Sequence, residues 1–257
     1  MSTTSPPTKR ERRDAARAAR LERERAVAAA AARRRRLPRL GAVLGAAAVI
    51  VVVAVAVSSG AGTKPSTSAP AHAADVRSML AGIPQRGATL GDPKAPVRVV
   101  EFADLQCPFC ANYSRTLLPR LVRDYVRPGK VRMELRTLAF IGPDSVRAAR
   151  VAQAAGRQNK MWNVADLVYL NQRRENSGYL NDAFLRRIAR AVPGLDVSRV
   201  FAQRGSAAVT RRLQSAQTEA TRAGVDSTPT FLVGRGAHLT AVDANGLRAA
   251  IAAAVKG

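Results

Sequence analysis

The chain has 257 residues, 47% of them hydrophobic, and carries 42 Lys or Arg against 18 Asp or Glu for a formal net charge of +24. This length allows one domain of ordinary size plus extensions, and the composition excludes a chain disordered throughout. Its two cysteines can be consumed by a single bond, and with two histidines beside them a four-ligand zinc site is poorly supplied.

Residues 1–39 hold thirteen Lys or Arg against four Asp or Glu, a surplus of +9, with no aromatic residue. Such a tail forms at most a polar helix and cannot bury a core. Its run Arg33-Arg34-Arg35-Arg36 invites a nucleic-acid reading, but no aromatic side chain is interleaved for stacking and the run abuts an apolar stretch, so no nucleic-acid partner is expected. From Leu40 to Val57 eighteen residues carry no charged or polar side chain, just enough for a membrane helix. Positive charge before it, with little after, puts the amino terminus in the cytoplasm and the remainder outside, a single-pass protein of the cytoplasmic membrane. A cleavable signal peptide is the rival, with Ser59 and Ala61 near a suitable site; the charged region and the apolar core both exceed the usual lengths, which favours an uncleaved anchor. Both readings export the residues beyond Val57. Residues 58–73, rich in Gly, Ser, Thr, Pro and Ala, read as a flexible tether that includes a solvated His72.

The folded part is expected over residues 74–257, since all eleven aromatic residues lie between Phe102 and Phe231. A short helix is possible over Val76 to Leu80. Val97 to Phe102 is a β-prone run, and Phe109, Tyr113, Leu117, Leu121 and Tyr125 recur at helical spacing until Pro128-Gly129. Val131, Met133 and Leu135 alternate with Arg132, Glu134 and Arg136 as in a half-buried strand. Between Pro143 and Gly224 the periodicity is helical, over Val146 to Ala155, Trp162 to Leu170, Leu180 to Val192 and Val197 to about Arg222, with Asp144, Asn181 and Asp196 as N-caps and Gly224 as a C-cap. Strands near Thr230 to Val233 and His238 to Thr240 and a helix from Ala244 to Val255 close the chain. Strand, helix, strand, a helical block, two strands and a helix make an α/β thioredoxin fold with an all-helical insertion at about 143–224.

Both cysteines stand in Cys107-Pro108-Phe109-Cys110, at the turn from a strand into a helix. A structural disulfide is a weak reading, because so short a ring removes little entropy from the unfolded chain. Redox chemistry fits better. A Cys at a helix start gains from the dipole and from unpaired N–H groups, so Cys107 is expected to be exposed with a lowered pKa and Cys110, one turn inside, to be its buried partner.

Together with the Val99-Val100-Glu101-Phe102 strand, Leu138-Ala139-Phe140, Gly142-Pro143 and Gly224-Val225-Asp226-Ser227-Thr228-Pro229-Thr230-Phe231, this motif resembles the DsbA-like thioredoxin-fold oxidoreductases, in their secreted or membrane-anchored bacterial branch, over about residues 86 to 255. The resemblance implies that Pro229 is cis and lies against the CxxC, where Thr228 offers backbone hydrogen bonds to a substrate strand. The plain alternative is a turn proline. Glu101 shares a strand face with Val97 and Val99; the family carries an acid near the buried cysteine, and a desolvated carboxyl there relays the Cys110 proton, whereas at a strand end it is simply solvated. Phe109 departs from the strongly oxidising members, which often carry His between the cysteines; with Pro108 it offers an apolar lip for substrates. The implied partners are unfolded or thiol-bearing secreted proteins and a membrane reoxidant of the DsbB or vitamin K epoxide reductase type, with the Cys107–Cys110 pair in place of any cofactor. The leading function is a disulfide oxidase; a reductase or isomerase of the same fold, or a chaperone or metal-carrier module, are the alternatives.

Overall fold

The computed structural model describes residues 69–257. The basic tail, the apolar run at 40–57 and the tether up to residue 68 lie outside the described residues; among those described, no helix is long and apolar enough to cross a membrane. In chain order the elements are α1 (Ala73–Leu80), β1 (Gln85–Arg86), β2 (Thr89–Leu90), β3 (Val97–Asp104), α2 (Pro108–Thr116), α3 (Leu118–Leu121), a π-helical turn (Val122–Val126), β4 (Val131–Leu138), α4 (Pro143–Gly156), α5 (Met161–Leu170), α6 (Asp182–Arg190), α7 (Val197–Gln203), α8 (Ala207–Arg222), β5 (Thr230–Arg235), β6 (His238–Val242) and α9 (Ala244–Lys256).

The six strands form one sheet in the order β1-β2-β4-β3-β5-β6, with β3 and β4 parallel and every other pair antiparallel. β3 is buried along nearly all its length because both faces are covered, as its unbroken apolar run requires. Val97, Val99 and Ala103 face the main core with α2 and α5, while Val100 and Phe102 face a smaller cluster with Leu138, Ala216 and Ala220. α4 to α8 form the helical insertion between β4 and β5.

Several expectations are revised. The hairpin β1–β2 is not expected from the sequence, because two-residue strands show no alternation. Its turn is held from outside: Gly87 sits at φ +61 and donates its N–H to Asn159 Oδ1 at 2.9 Å, and the Ala88 carbonyl accepts from Leu135 N at 3.0 Å and Trp162 Nε1 at 2.9 Å. The polar face of β4 is half-buried, as its alternation predicts, and carries an ion-pair network. Over it, Arg98 makes a two-pronged contact to Glu134 at 2.8 and 2.9 Å, and Arg136 bridges Glu134 at 2.8 Å to Glu219 of α8 at 2.6 Å. Burial pushes the Glu134 carboxyl up, but the Arg98 and Arg136 partners prevail and hold it below its ordinary range. Asp144 is not an N-cap: Gly142 holds that position, and Asp144 lies buried in the first turn, paired with Arg147. Asn181 and Asp196 do cap their helices, accepting from Phe184 N and Arg199 N at 3.0 Å each. The run expected from Val197 to Arg222 breaks at Gly205, where Ser206 caps α8.

Candidate active site

β3 delivers the redox loop from the middle of the sheet. After Asp104 the chain turns, and the Cys107 N–H donates to the Asp104 carbonyl at 2.9 Å. Cys107 is the N-cap of α2 in an extended conformation, and Pro108 occupies the first helical position, where a missing N–H costs nothing. The next free N–H groups, of Phe109 and Cys110, lie at the Cys107 sulfur. Both cysteines are thiols in this structure.

Cys107 is only 4% exposed and Cys110 is fully covered, so the first sulfur is less open than its place in the sequence implies. The reason is the loop before β5. Gly224, at φ +66, ends α8, and the Thr228–Pro229 peptide beyond it is cis. Because β5 runs antiparallel to β3, this loop falls beside the C-terminal end of β3, and the Cys107 thiol donates to the Thr228 carbonyl at 3.2 Å. Phe109 stands out at the surface, 72% exposed.

The two thiols are electrostatically unequal. A hydrogen bond from Cys110 to the Cys107 thiolate lowers the Cys107 pKa to about 6, against desolvation and helped by the Thr228 side chain and the first N–H groups of α2. Burial drives the Cys110 thiol well above its ordinary value, and the neighbouring Cys107 and Glu101 charges add to it. Glu101 is buried, with Oε2 lacking a partner among the described residues, and desolvation, aided by the Asp166 charge, raises its pKa to about 8. Across β5, the Tyr113 ring of α2 lies against Phe231, centroids 4.8 Å apart.

The structure therefore brings Cys107, Cys110, Thr228 and Pro229 together, with Pro108 and Phe109 at the rim and Glu101 beneath. Sequence reasoning missed the group that holds the loop. Asp104 Oδ1 accepts from Gln106 N at 2.8 Å and Ser145 Oγ at 2.6 Å, and its Oδ2 accepts from Phe140 N and Ile141 N at 3.0 and 3.2 Å. The Gln106 amide donates to Ser145 and to Asn176 Oδ1 at 3.0 and 3.1 Å, and its oxygen accepts from Asn176 N at 2.7 Å. Gly142 leaves the space that Asn176 fills; a Cβ there collides with the Asn176 amide. Gln172 donates to the Cys107 carbonyl at 3.2 Å. Only the pair Asp104 and Gln106, polar residues at the end of an apolar strand, left a trace in the sequence.

A sheet of this topology that carries a CxxC pair at a helix start, against a cis-proline loop, defines a thiol–disulfide oxidoreductase. The family model described as thioredoxin matches residues 85–253. The chain is 31% identical over 148 residues to the probable disulfide bond formation protein D of Bacillus cereus, covering 56% of this chain and 68% of that protein. Among solved structures, a thioredoxin-like oxidoreductase from Silicibacter pomeroyi is 28% identical with a TM-score of 0.55, covering 70% of this chain and 98% of that one. The oxidised form of BdbD from Bacillus subtilis shares the fold, with a TM-score of 0.60 at 19% identity over 68% of this chain and 98% of that one. The chain belongs to the thioredoxin family and is a DsbA-like protein thiol–disulfide oxidoreductase.

Proposed function

We propose that this chain is a disulfide oxidase acting on thiol-bearing proteins outside the cytoplasm, tethered to the membrane through residues 40–57. The observation that supports this reading is the inequality of the two thiols, which favours the reduced pair: Cys107 is held as a thiolate at neutral pH while Cys110 stays protonated. In the oxidised form, a substrate thiolate attacks the Cys107 sulfur, Cys110 leaves and takes up a proton, and a mixed disulfide forms. A second substrate thiolate then attacks the substrate sulfur of that bond and releases Cys107 as a thiolate. Two electrons pass from the substrate dithiol to the pair, which serves as its own redox group, and a membrane partner of the DsbB or vitamin K epoxide reductase type takes them up. Glu101 exchanges the Cys110 proton. Thr228, whose carbonyl is free whenever Cys107 carries no proton, offers it to the substrate backbone beside Pro229, and Pro108 with Phe109 forms an apolar lip.

The magnitude of the thiolate effect tempers the choice between oxidase and reductase. A pKa near 6 rather than the ordinary 9 stabilises the reduced form by about 1.4 kcal/mol at pH 7, which is about 30 mV for a two-electron couple. Roughly 150 mV separates thioredoxin from DsbA, so the thiolate accounts for a minor share of that gap. Equilibration of the full chain against glutathione decides. A potential towards roughly −120 mV supports the oxidase, and one near about −270 mV makes the chain a reductant with the same site. In either direction Cys107→Ser abolishes turnover and Cys110→Ser accumulates the mixed disulfide; a variant lacking Cys107 that keeps full activity overturns catalysis by this pair.

A further inference from the structure

Behind the redox pair, Glu101, Tyr113, Ser114, Trp162, Asp166 and Tyr169 surround a cavity of about 10 Å³, close to the space that one water molecule needs. Two polar atoms of its wall residues, Glu101 Oε2 and Tyr113 Oη, have no hydrogen-bond partner among the described residues. Asp166, 3% exposed, accepts a hydrogen bond from the Ser114 hydroxyl. The same two residues also line a second cavity, of about 320 Å³, walled on its outer side by His72, Asp75, Met79 and Arg115. His72 and Asp75 are exposed, so this second cavity meets solvent. Asp166 thus partitions a one-water chamber at Glu101 from the surface.

We propose that Asp166 is the outer station of a proton path serving Cys110, which runs from Cys110 to Glu101, across the small cavity to Asp166, and out to solvent beside α1. This rests on the redox role proposed for Cys107 and Cys110, and adds to it a route that avoids the face where substrate docks. Each step balances. In a mixed disulfide on Cys107, Cys110–SH gives its proton to the ionised fraction of Glu101, and the Cys110 thiolate attacks the Cys107 sulfur, closing the Cys107–Cys110 bond and expelling the partner sulfur as a thiolate. The protonated Glu101 passes a proton to a cavity water, which gives one of its own to the Asp166 carboxylate, and Asp166 releases it to solvent. Uptake during substrate oxidation reverses the sequence.

The charged and titratable groups around Asp166 suit the task. Cys110, Tyr113 and Arg115 come from α2, Glu101 from β3, Tyr169 from α5 itself, and His72 and Asp75 from the start of α1. Burial raises Asp166 to about 7, with the Ser114 hydrogen bond and the His72 charge opposing. Glu101, at about 8, is the better proton acceptor of the two, and the outward steps end on the group that gives the proton up most readily at neutral pH.

Ellman's reagent separates the two thiols of the reduced full chain in stopped flow. The first thionitrobenzoate is released when the Cys107 thiolate attacks, and the second when Cys110 displaces it from the mixed disulfide. Asp166→Asn is expected to slow the second release about tenfold at pH 7 while leaving the first unchanged. Glu101→Gln slows it at least as much, and the double variant is no slower than Glu101→Gln alone, because the two groups act in series. A second release at the parent rate in Asp166→Asn, or multiplied losses in the double variant, overturns the path and leaves the redox site standing. The absence of a second release in the parent protein instead removes the redox reading itself. If Asp166→Asn does not fold, Ser114→Ala replaces it: losing the hydrogen bond that favours the charged carboxylate moves the pH midpoint of the second release upward, and an unmoved midpoint overturns the path.

Discussion

Glu101 and Asp104 stand three residues apart on β3, and both are buried, at 1% and 0% exposed. Asp104 is saturated: four donors from three segments converge on its two oxygens. Glu101 has an oxygen with no partner among the described residues and faces a cavity shared with Asp166. The same chemical group therefore does two jobs on one strand. Four donors make a carboxylate part of the frame, since releasing it strands every donor. A carboxyl with a free oxygen beside a water-sized space changes its protonation at little structural cost.

The largest expected effect lies on the frame side. Asp104→Ala leaves Gln106 N, Phe140 N, Ile141 N and Ser145 Oγ without their acceptor in a buried site, and a loss of about 3–5 kcal/mol is expected from urea denaturation of the full chain at pH 7. A loss below about 1 kcal/mol means that water replaces the carboxylate and erases the contrast with Glu101.

Glu101→Gln is expected to act in the opposite direction, and with a pH signature. Below pH 4.5 the carboxyl is protonated in both the folded and the unfolded chain and contributes nothing. Between 4.5 and about 8 the unfolded chain ionises while the folded one keeps its proton, so the parent loses stability as pH rises, and above 8 the loss is complete. The variant escapes this and should gain about 2–4 kcal/mol over the parent at about pH 8.5 and nothing at about pH 4. Cys107, whose folded pKa is lowered, gives the reduced protein a stability that grows between about 6 and 9, but it does so in both proteins and cancels in the difference. A loss that is the same at both pH values places Glu101 with the frame.

Asn176→Ala tests how far the frame extends. The side chain accepts from Gln106 and donates to the Ile141 carbonyl at 2.9 Å, and its loss is expected to cost about 1–2 kcal/mol. Hydrogen exchange of the Phe140 and Ile141 amides should quicken with it, because both donate to the same Asp104 oxygen.

The long elements and the redox pair were legible because each has a local signature: alternation on β4, helical spacing through the insertion, and two cysteines at a helix start. The carboxylate contrast was half legible. Parity on β3 places Glu101 on the face of Val97 and Val99, but Asp166 lies 65 positions downstream, and nothing in a helix such as Met161–Leu170 marks which of its polar residues will meet β3. The clamp of Asp104, Gln106, Ser145 and Asn176 draws on separate segments of the chain, so it exists only after folding. The hairpin β1–β2 escaped for the same reason: its two-residue strands are fixed by Asn159, Trp162 and Leu135 and not by their own pattern.

The smallest effect has a built-in reporter. Trp162 is the only tryptophan, is 2% exposed, is held by its hydrogen bond to the Ala88 carbonyl, and lines the cavity with Glu101 and Asp166. An indole fixed beside two titrating carboxyls senses their charge, so its emission in the reduced protein should change over about pH 6 to 9, in two overlapping steps that belong to the pair. Asp166→Asn should remove one step and move the other below 8, because the Asp166 charge is part of what raises Glu101. Glu101→Gln should leave a single step near 7. Asn176→Ala, on the frame side, should leave both steps where they are. A pH-independent emission in the parent means that neither carboxyl exchanges its proton in this range, and Glu101 then differs from Asp104 in its partners alone.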